Sequence, residues 1–426
     1  MGFLATPALP GRSGMAVLSK GRTRERDSGL SQTPRTCRWV VANQSESPAF
    51  ERMIARLSRT LGSCLLITGM PHSGGTDSLR LIRAPAYDRR GVGRRALSWA
   101  KFSVFALARL WRLRGRPFLL AVTNPPSMPL IALLLKVLRG LPYGLLVWDI
   151  YPDHVVKMGW LRAGNPIVKA WRALSRAALR RADVVMTLSD RMAGLLLDEA
   201  GRSRLERRLT VTPMWEETDV VRPVAKTRNK FAARHGQVDK ITVLYSGNMG
   251  ATHGLSPLVE AADRLRQDKR LAFLLIGDGL GRPELERQVE ARRLKNVLIL
   301  DPQNYETLPL SLATGDIALV VQVPGTEHLS LPSKTYSSLA AGSAIIALTS
   351  GDSDLAALVG KYDVGAVCPW GDAGRLTDVI LGLADRPQDL ARFRANARRA
   401  AVEEFGADQA GSRFRSALEP FVRGPA

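Results

Sequence analysis

Short uninterrupted apolar runs, each followed by a stretch at helical spacing, recur along this chain in two consecutive series. A strand that is apolar at every position has both faces covered, and strands alternating with helices are joined by crossovers, so the pattern predicts α/β folding around parallel sheets. The first series holds Arg38-Trp-Val-Val-Ala42, a helix over 49–61, Cys64-Leu-Leu-Ile-Thr68, Phe118-Leu-Leu-Ala-Val122 and a helix over 130–139. It continues through Gly144-Leu-Leu-Val-Trp148, a helix over 167–181 and Asp183-Val-Val-Met-Thr187. The second places strands at 241–245, 272–276, 297–300, 317–321, 343–348 and 365–368, then a helical tail from Pro387. Arg222-Pro223 and the polar run Lys226 to Lys240 divide the series, giving a first domain over 37–221, a linker over 222–240 and a second domain over 241–395. Residues 396–426 read as a C-terminal helix packing back on the first domain. Residues 1–36 show no periodicity and read as a disordered extension.

Two domains also follow from size, because 426 residues exceed the roughly 250–300 over which one core usually grows. The 61 Lys and Arg against 39 Asp and Glu, a formal +22, favour anionic partners such as nucleic acid, acidic lipid or phosphorylated substrates. No zinc-finger spacing, aromatic RNA-binding motif or helix-turn-helix is readable, so no specific nucleic acid is expected, and a basic nucleic-acid-binding protein is the lesser alternative to an enzyme. Cys37, Cys64 and Cys368 lie far apart, which suits a reduced compartment and offers no metal pattern. No run reaches the ~20 apolar residues of a membrane span; Leu130 to Leu138 is short and carries Lys136. Met1-Gly-Phe-Leu-Ala-Thr6 fits the loose myristoylation pattern, with nothing else to support it.

Two stretches carry the chemistry. Val243-Leu-Tyr-Ser-Gly-Asn-Met-Gly-Ala-Thr-His-Gly-Leu255 runs a strand into a glycine-rich turn, where unpaired backbone N–H groups suit an anion. Leu331-Pro-Ser-Lys-Thr335 opens a second helix behind a proline, adding the cation of Lys334 to a helix N-terminus. Two such starts in one domain suggest a diphosphate. In the first half, the strand ends near Thr123 and Asp149-Ile-Tyr-Pro-Asp-His154 lie where parallel sheets meet ligands.

The Tyr-Ser-Gly-Asn-Met-Gly turn followed by Pro-Ser-Lys resembles the retaining glycosyltransferases of family four, in the branch that builds bacterial exopolysaccharide and O-antigen units. The resemblance implies a GT-B fold, two Rossmann-like domains with parallel sheets facing across a cleft, the acceptor on the first and the nucleotide-sugar donor on the second. It implies that Gly247, Asn248, Met249 and Gly250 bring backbone amides to the donor's phosphates, and that Ser333 and Lys334 clamp them from the other side. Gly277, Asp278 and Gly279 then form a turn beside the nucleotide, although a glycine pair after a strand is also an ordinary tight turn. Tyr305, in Asp301-Pro-Gln-Asn-Tyr305, is placed to pack on the base; an ordinary loop is the plain alternative.

The chain departs from the family where two glutamates are usual: those positions hold Leu329 and Ser337, and Glu327 lies two residues away. Asn248 and His253 replace the usual Arg and Lys of the turn. Asp149, Asp153 and His154 are the catalytic candidates of the first half, to orient an acceptor hydroxyl and contact the moving sugar; a helix cap and a solvated histidine are the plain alternatives. The resemblance further implies retention of configuration, no metal and no cofactor beyond the co-substrate, since Asp352-Ser-Asp354 reads as a loop. It points to a polyprenyl-diphosphate-linked or saccharide acceptor and to a cytoplasmic enzyme, peripheral on the inner face of the plasma membrane. Arg94 to Arg116 reads as a basic helix that would meet that anionic surface, with Arg94, Lys101, Arg109 and Arg112 on one face and Trp99, Ala106, Leu110 and Leu113 on the other; a surface helix packing Trp99 and Leu110 into its own domain is the plain alternative. A nucleotide-sugar 2-epimerase shares the fold and is the alternative enzyme; it would need cleft carboxylates and histidines that cannot be assembled here.

Overall fold

The computed structural model describes residues 37–44, 47–69, 75–88, 91–250 and 254–423. The 1–36 extension, its myristoylation pattern and His253 lie outside them. From Thr36 onward the chain is one compact unit. Its first half runs β1 (Trp39–Asn43), α1 (Pro48–Leu61), β2 (Cys64–Thr68), β3 (Leu79–Arg83), α2 (Val92–Trp111), β4 (Phe118–Val122), α3 (Met128–Arg139) and β5 (Tyr143–Val147). There follow α4 (Asp153–Lys157), α5 (Pro166–Arg181), β6 (Val184–Thr187), α6 (Asp190–Ala200), α7 (Arg202–Leu205) and β7 (Leu209–Val211). The second half runs α8 (Lys230–Arg234), β8 (Ile241–Ser246), α9 (Ser256–Arg264), β9 (Leu271–Ile276), α10 (Arg282–Ala291), β10 (Val297–Leu300), α11 (Leu308–Leu312) and β11 (Ile317–Val321). It closes with α12 (Lys334–Ala340), β12 (Ala344–Leu348), α13 (Asp354–Tyr362), β13 (Gly365–Cys368), α14 (Ala373–Asp385), α15 (Pro387–Glu403) and α16 (Ala407–Val422).

Both sheets are parallel throughout, in the orders β3-β2-β1-β4-β5-β6-β7 and β10-β9-β8-β11-β12-β13. Chain order reverses between β1 and β4 and again between β8 and β11, and a crevice opens at the carboxyl ends of strands at such points. Side chains alternate across the first sheet. Trp39 and Val41 point to the face covered by α1 and α16, whereas Val40 and Ala42 point to the face covered by α2, α3 and α5. The central strands β4 and β11 are buried at every residue, as their unbroken apolar runs require.

Local signals set the helix ends. Ser47 caps α1 by accepting from the Phe50 amide at 3.3 Å, Pro48 occupies the first turn, and Gly62, at φ +97°, stops it. Within α1, Phe50, Met53, Ile54, Leu57 and Leu61 form the buried stripe.

Four expectations need correction. The strands β3 and β7 are additional. The segment 222–240 is no free linker: it holds a short turn at Lys226–Arg228 and α8, with Phe231 and Ala232 buried. The Lys226 ammonium donates to Thr242 Oγ1 at 2.9 Å and pairs with Asp316, which fastens the segment to the second sheet. The tail returns to the first half at 404–406, not 396, since α15 still packs on α12 and only α16 lies against α1. Lastly, the apolar face of the basic helix is not free: Ala106, Leu110 and Leu113 are buried in the domain core, and Trp99 packs against Tyr87, Tyr151 and Trp160.

Candidate active site

The turn after β8 and the turn after β9 are built into one another. Gly247 N–H donates to the Ile276 carbonyl at 2.9 Å, Met249 N–H to Asp278 O at 2.8 Å, and Gly281 N–H to Met249 O at 2.8 Å. The approach is close enough to exclude side chains, because a β-carbon on Gly277 would stand 1.9 Å from Gly247 O and one on Gly279 would stand 2.6 Å from Met249 O. These bonds correct the amide assignment. The N–H groups of Gly247 and Met249 serve the turn itself, while those of Asn248 and Gly250 have no partner among the described residues. Gly277 and Gly279 form the wall against this turn, and Asp278 accepts from the Gly279 amide at 2.7 Å. Gly277→Ala is expected to lower stability by about 2–4 kcal/mol through this clash. Thermal denaturation checks it, and an unchanged Tm would refute the close-packing argument.

An open depression of about 560 Å³ lies over these turns, lined by Ser246, Gly247, Asn248, Asp278, Pro302 and Gln303 among others. Tyr305 does not line it. Its ring lies under the guanidinium of Arg52 on α1, 5.2 Å from centroid to Cζ, so it bridges to the first half instead of facing a base. Asp301 pairs with Arg282 at 2.5 Å.

Lys334, the first residue of α12, adjoins this depression through Gly247, where an added β-carbon would stand 3.2 Å from its Nζ. The ammonium nitrogen donates to Tyr245 Oη at 2.8 Å and sits 4.0 Å above the Tyr245 ring, and that hydroxyl donates to Asn248 O at 2.5 Å. Two motifs far apart in sequence therefore meet through Tyr245. Burial pulls the Lys334 pKa down to about 7, and no carboxylate offsets it. Ser333, exposed at the N-cap, makes no side-chain cap bond, and Ser337 Oγ donates back to Lys334 O at 3.1 Å, so Ser337 faces its own helix. The Glu327 carboxylate makes no bond among the described residues, while its carbonyl accepts from Gln322 Nε2 at 3.3 Å. Tyr245 and Gln322 escaped the sequence reading because each sits in or beside an apolar strand. A tyrosine two residues before the turn glycine was the available signal for the first.

The first half reaches the same place. Ile150 N–H donates to Leu329 O at 3.0 Å and Asp149 pairs with Ser330 as an antiparallel bridge, which ties the end of β5 to the segment entering α12. Thr123 Oγ1 accepts from the amides of Trp148 and Asp149 at 3.0 and 3.3 Å. Burial raises the Asp149 carboxyl pKa, and the facing His154 pulls it back. His154 Nδ1 is buried without a hydrogen bond, 3.8 Å from Asp149 Oδ1. Asp153 belongs elsewhere: its Oδ1 accepts from both Arg172 Nε at 3.1 Å and Nη2 at 2.5 Å, a tie between α4 and α5. The structure thus brings together Gly247, Asn248 and Lys334, ties Asp149, with His154 beside it, to the segment entering α12, and sets Asp153, Tyr305 and Ser337 to other tasks.

Two parallel Rossmann-like sheets, joined where the end of β5 meets the segment entering α12 and carrying a half-buried lysine beside a glycine turn in the second, define the GT-B class. The comparisons agree: residues 227–400 match the model for glycosyl transferases group 1 and residues 50–215 that for the glycosyl transferase 4-like domain. The chain belongs to the group 1 GT-B glycosyltransferases. It is 32% identical over 241 residues to WcaI of Escherichia coli, assigned as a colanic acid biosynthesis glycosyl transferase, covering 55% of this chain and 58% of that protein. It is 24% identical over 355 residues to WbjE of Pseudomonas aeruginosa, assigned as a glycosyltransferase, covering 80% and 86%. Among solved structures, Anabaena HepE in complex with UDP superposes with a TM-score of 0.66 at 16% identity, over 89% of this chain and 98% of that one. WaaG, a glycosyltransferase involved in lipopolysaccharide biosynthesis, gives 0.64 at 15% identity over 91% and 100%. At these identities the structural likeness establishes the shared fold.

Proposed function

We propose that this glycosyltransferase moves a sugar from a nucleoside-diphosphate sugar to a polyprenyl-diphosphate-linked or saccharide acceptor in bacterial surface polysaccharide synthesis, with retention of configuration and without a metal. The observation that carries the reading is the meeting of the Gly247 turn with the Lys334 amine. Breaking a sugar–phosphate bond adds negative charge to the departing diphosphate, and a preplaced cation that tightens as the charge grows lowers that barrier. Lys334 supplies that charge in this mechanism, and the free amides of Asn248 and Gly250 add to it. Further support comes from the work assigned to WcaI and WbjE and from the UDP-glucose complex of HepE.

Asp149 lies on the acceptor half beside Ser330 in the segment entering α12, with His154 next to it. In this reading His154 hydrogen-bonds the transferred sugar and Asp149 orients the acceptor hydroxyl. An acceptor carried on a lipid places the reaction at the inner face of the plasma membrane. The test is thermal shift with UDP-, GDP- and dTDP-sugars. One nucleotide class is expected to stabilise the protein, by about 2.7 kcal/mol at a hundred times its Kd. No shift with any of them, in folded protein, would overturn the donor assignment.

A further inference from the structure

The helices on the outer face of the first sheet have an unusual solvent side. α2, α3 and α5 carry four, two and five lysines or arginines and not one aspartate or glutamate. They lie side by side, α2 against α3 and α3 against α5. Their inward stripes fill the core, yet large apolar residues also point outward: on α2 Leu97, Val104 and Trp111, at seven-residue spacing, are 55%, 70% and 49% exposed. Val137 and Leu138 on α3 and Ile167 on α5 are 64%, 59% and 66% exposed. A surface helix normally turns polar residues outward, so an apolar stripe shared by three neighbouring helices marks a contact surface.

A second observation points to what covers it. At the end of α5, an open depression of about 590 Å³ is lined by Arg180, Arg181, Arg204, Arg207 and Arg208 over Ala173 and Ala177, with no acid in its walls. Arg180 Nε and Arg208 Nη1 are fixed on the carbonyls of Ala200 and Ala182 at 2.8 and 2.6 Å. Arg181, Arg204 and Arg207 make no ion pair among the described residues. Of the acids near in sequence, Asp183 pairs with Lys136, and Asp198 and Glu206 with Arg202. On the helices themselves, Lys136 and Arg172 are matched by Asp183 and Asp153, whereas Arg94, Lys101 and Lys169 have no such match among the described residues.

We propose that this three-helix face, with the arginine depression at its edge, docks the protein on an anionic lipid bilayer. The apolar stripe enters the headgroup–acyl boundary and the arginines meet headgroup phosphates. This rests on the reading of a lipid-borne acceptor only for its purpose, not for its chemistry. A second copy fits poorly, since a two-fold contact would set this basic face against itself. A nucleic acid would gain nothing from the exposed apolar side chains.

The full chain is floated with vesicles of phosphatidylcholine and with vesicles containing phosphatidylglycerol. Binding is expected to be about tenfold or more stronger to the anionic vesicles and to fall with salt. Arg181→Glu with Arg207→Glu should weaken it about tenfold or more, and Val104→Ser with Leu138→Ser should weaken it while leaving the salt dependence in place. Nucleotide-induced thermal shifts should persist in both variants, showing intact folding and donor site. Equal binding to neutral and anionic vesicles, or indifference to both pairs of substitutions, overturns the proposal. So does a dimer in light scattering that the Val104/Leu138 variant dissolves. Loss of transfer to lipid-linked acceptors with vesicle binding retained would count against the acceptor reading alone.

Discussion

Lys334→Ala is expected to lower kcat/KM for sugar transfer about a thousandfold, in line with removal of a charge that acts where a leaving group develops. The wild type should also show a pH signature that the variant lacks. In the free protein burial holds the Lys334 pKa at about 7, and a bound diphosphate favours the protonated amine and so raises it. Below pH 7 free and bound forms are both protonated, and donor affinity is level. Above pH 7 the free form is neutral, binding takes up a proton, and affinity should fall by about tenfold per pH unit until the bound-state pKa is reached. Calorimetry in buffers of different ionisation heat measures that uptake directly. Donor affinity that stays flat across roughly pH 6 to 9 would remove Lys334 from the phosphate contacts.

His154→Ala should reduce kcat about a hundredfold at saturating donor, with Asp149→Asn reducing it comparably, because a positioned hydrogen-bonding group acts in the transition state and not merely in binding. Asp153→Asn provides the contrast. Its carboxylate is held by Arg172 away from the cleft, so its loss should lower Tm while leaving kcat within about twofold. If His154→Ala turns over normally, or Asp153→Asn loses as much as Asp149→Asn, the acceptor-side centre is elsewhere.

What the sequence disclosed follows from how each element is stabilised. Buried central strands announce themselves, and Cys64–Thr68, Phe118–Val122 and Ile317–Val321 fall where their apolar runs lie. Edge strands do not: Leu79–Arg83 alternates with arginines and Leu209–Val211 is three residues long, so neither carries the continuous signal. The helix over 92–111 has two apolar stripes, and spacing alone could not say that Ala106 and Leu110 face the sheet while Val104 faces outward. Likewise Gly247 and Lys334 were legible as motifs, but their meeting through Tyr245 depends on a hydrogen bond between residues 89 positions apart. The diversion of Tyr305 to Arg52 arises across the cleft, between elements whose separation in sequence carries no pattern.

α16 returns to the first half, where Phe414 packs edge-on to Trp215 at 5.3 Å and shares a cluster with Trp39, Phe118 and Leu120. During synthesis the hydrophobic interior of the N-terminal half therefore stays unfinished until α16 has emerged, after the intervening half has been made. Gene fragments encoding the acceptor half without α16 would yield a protein with one wall of that core missing.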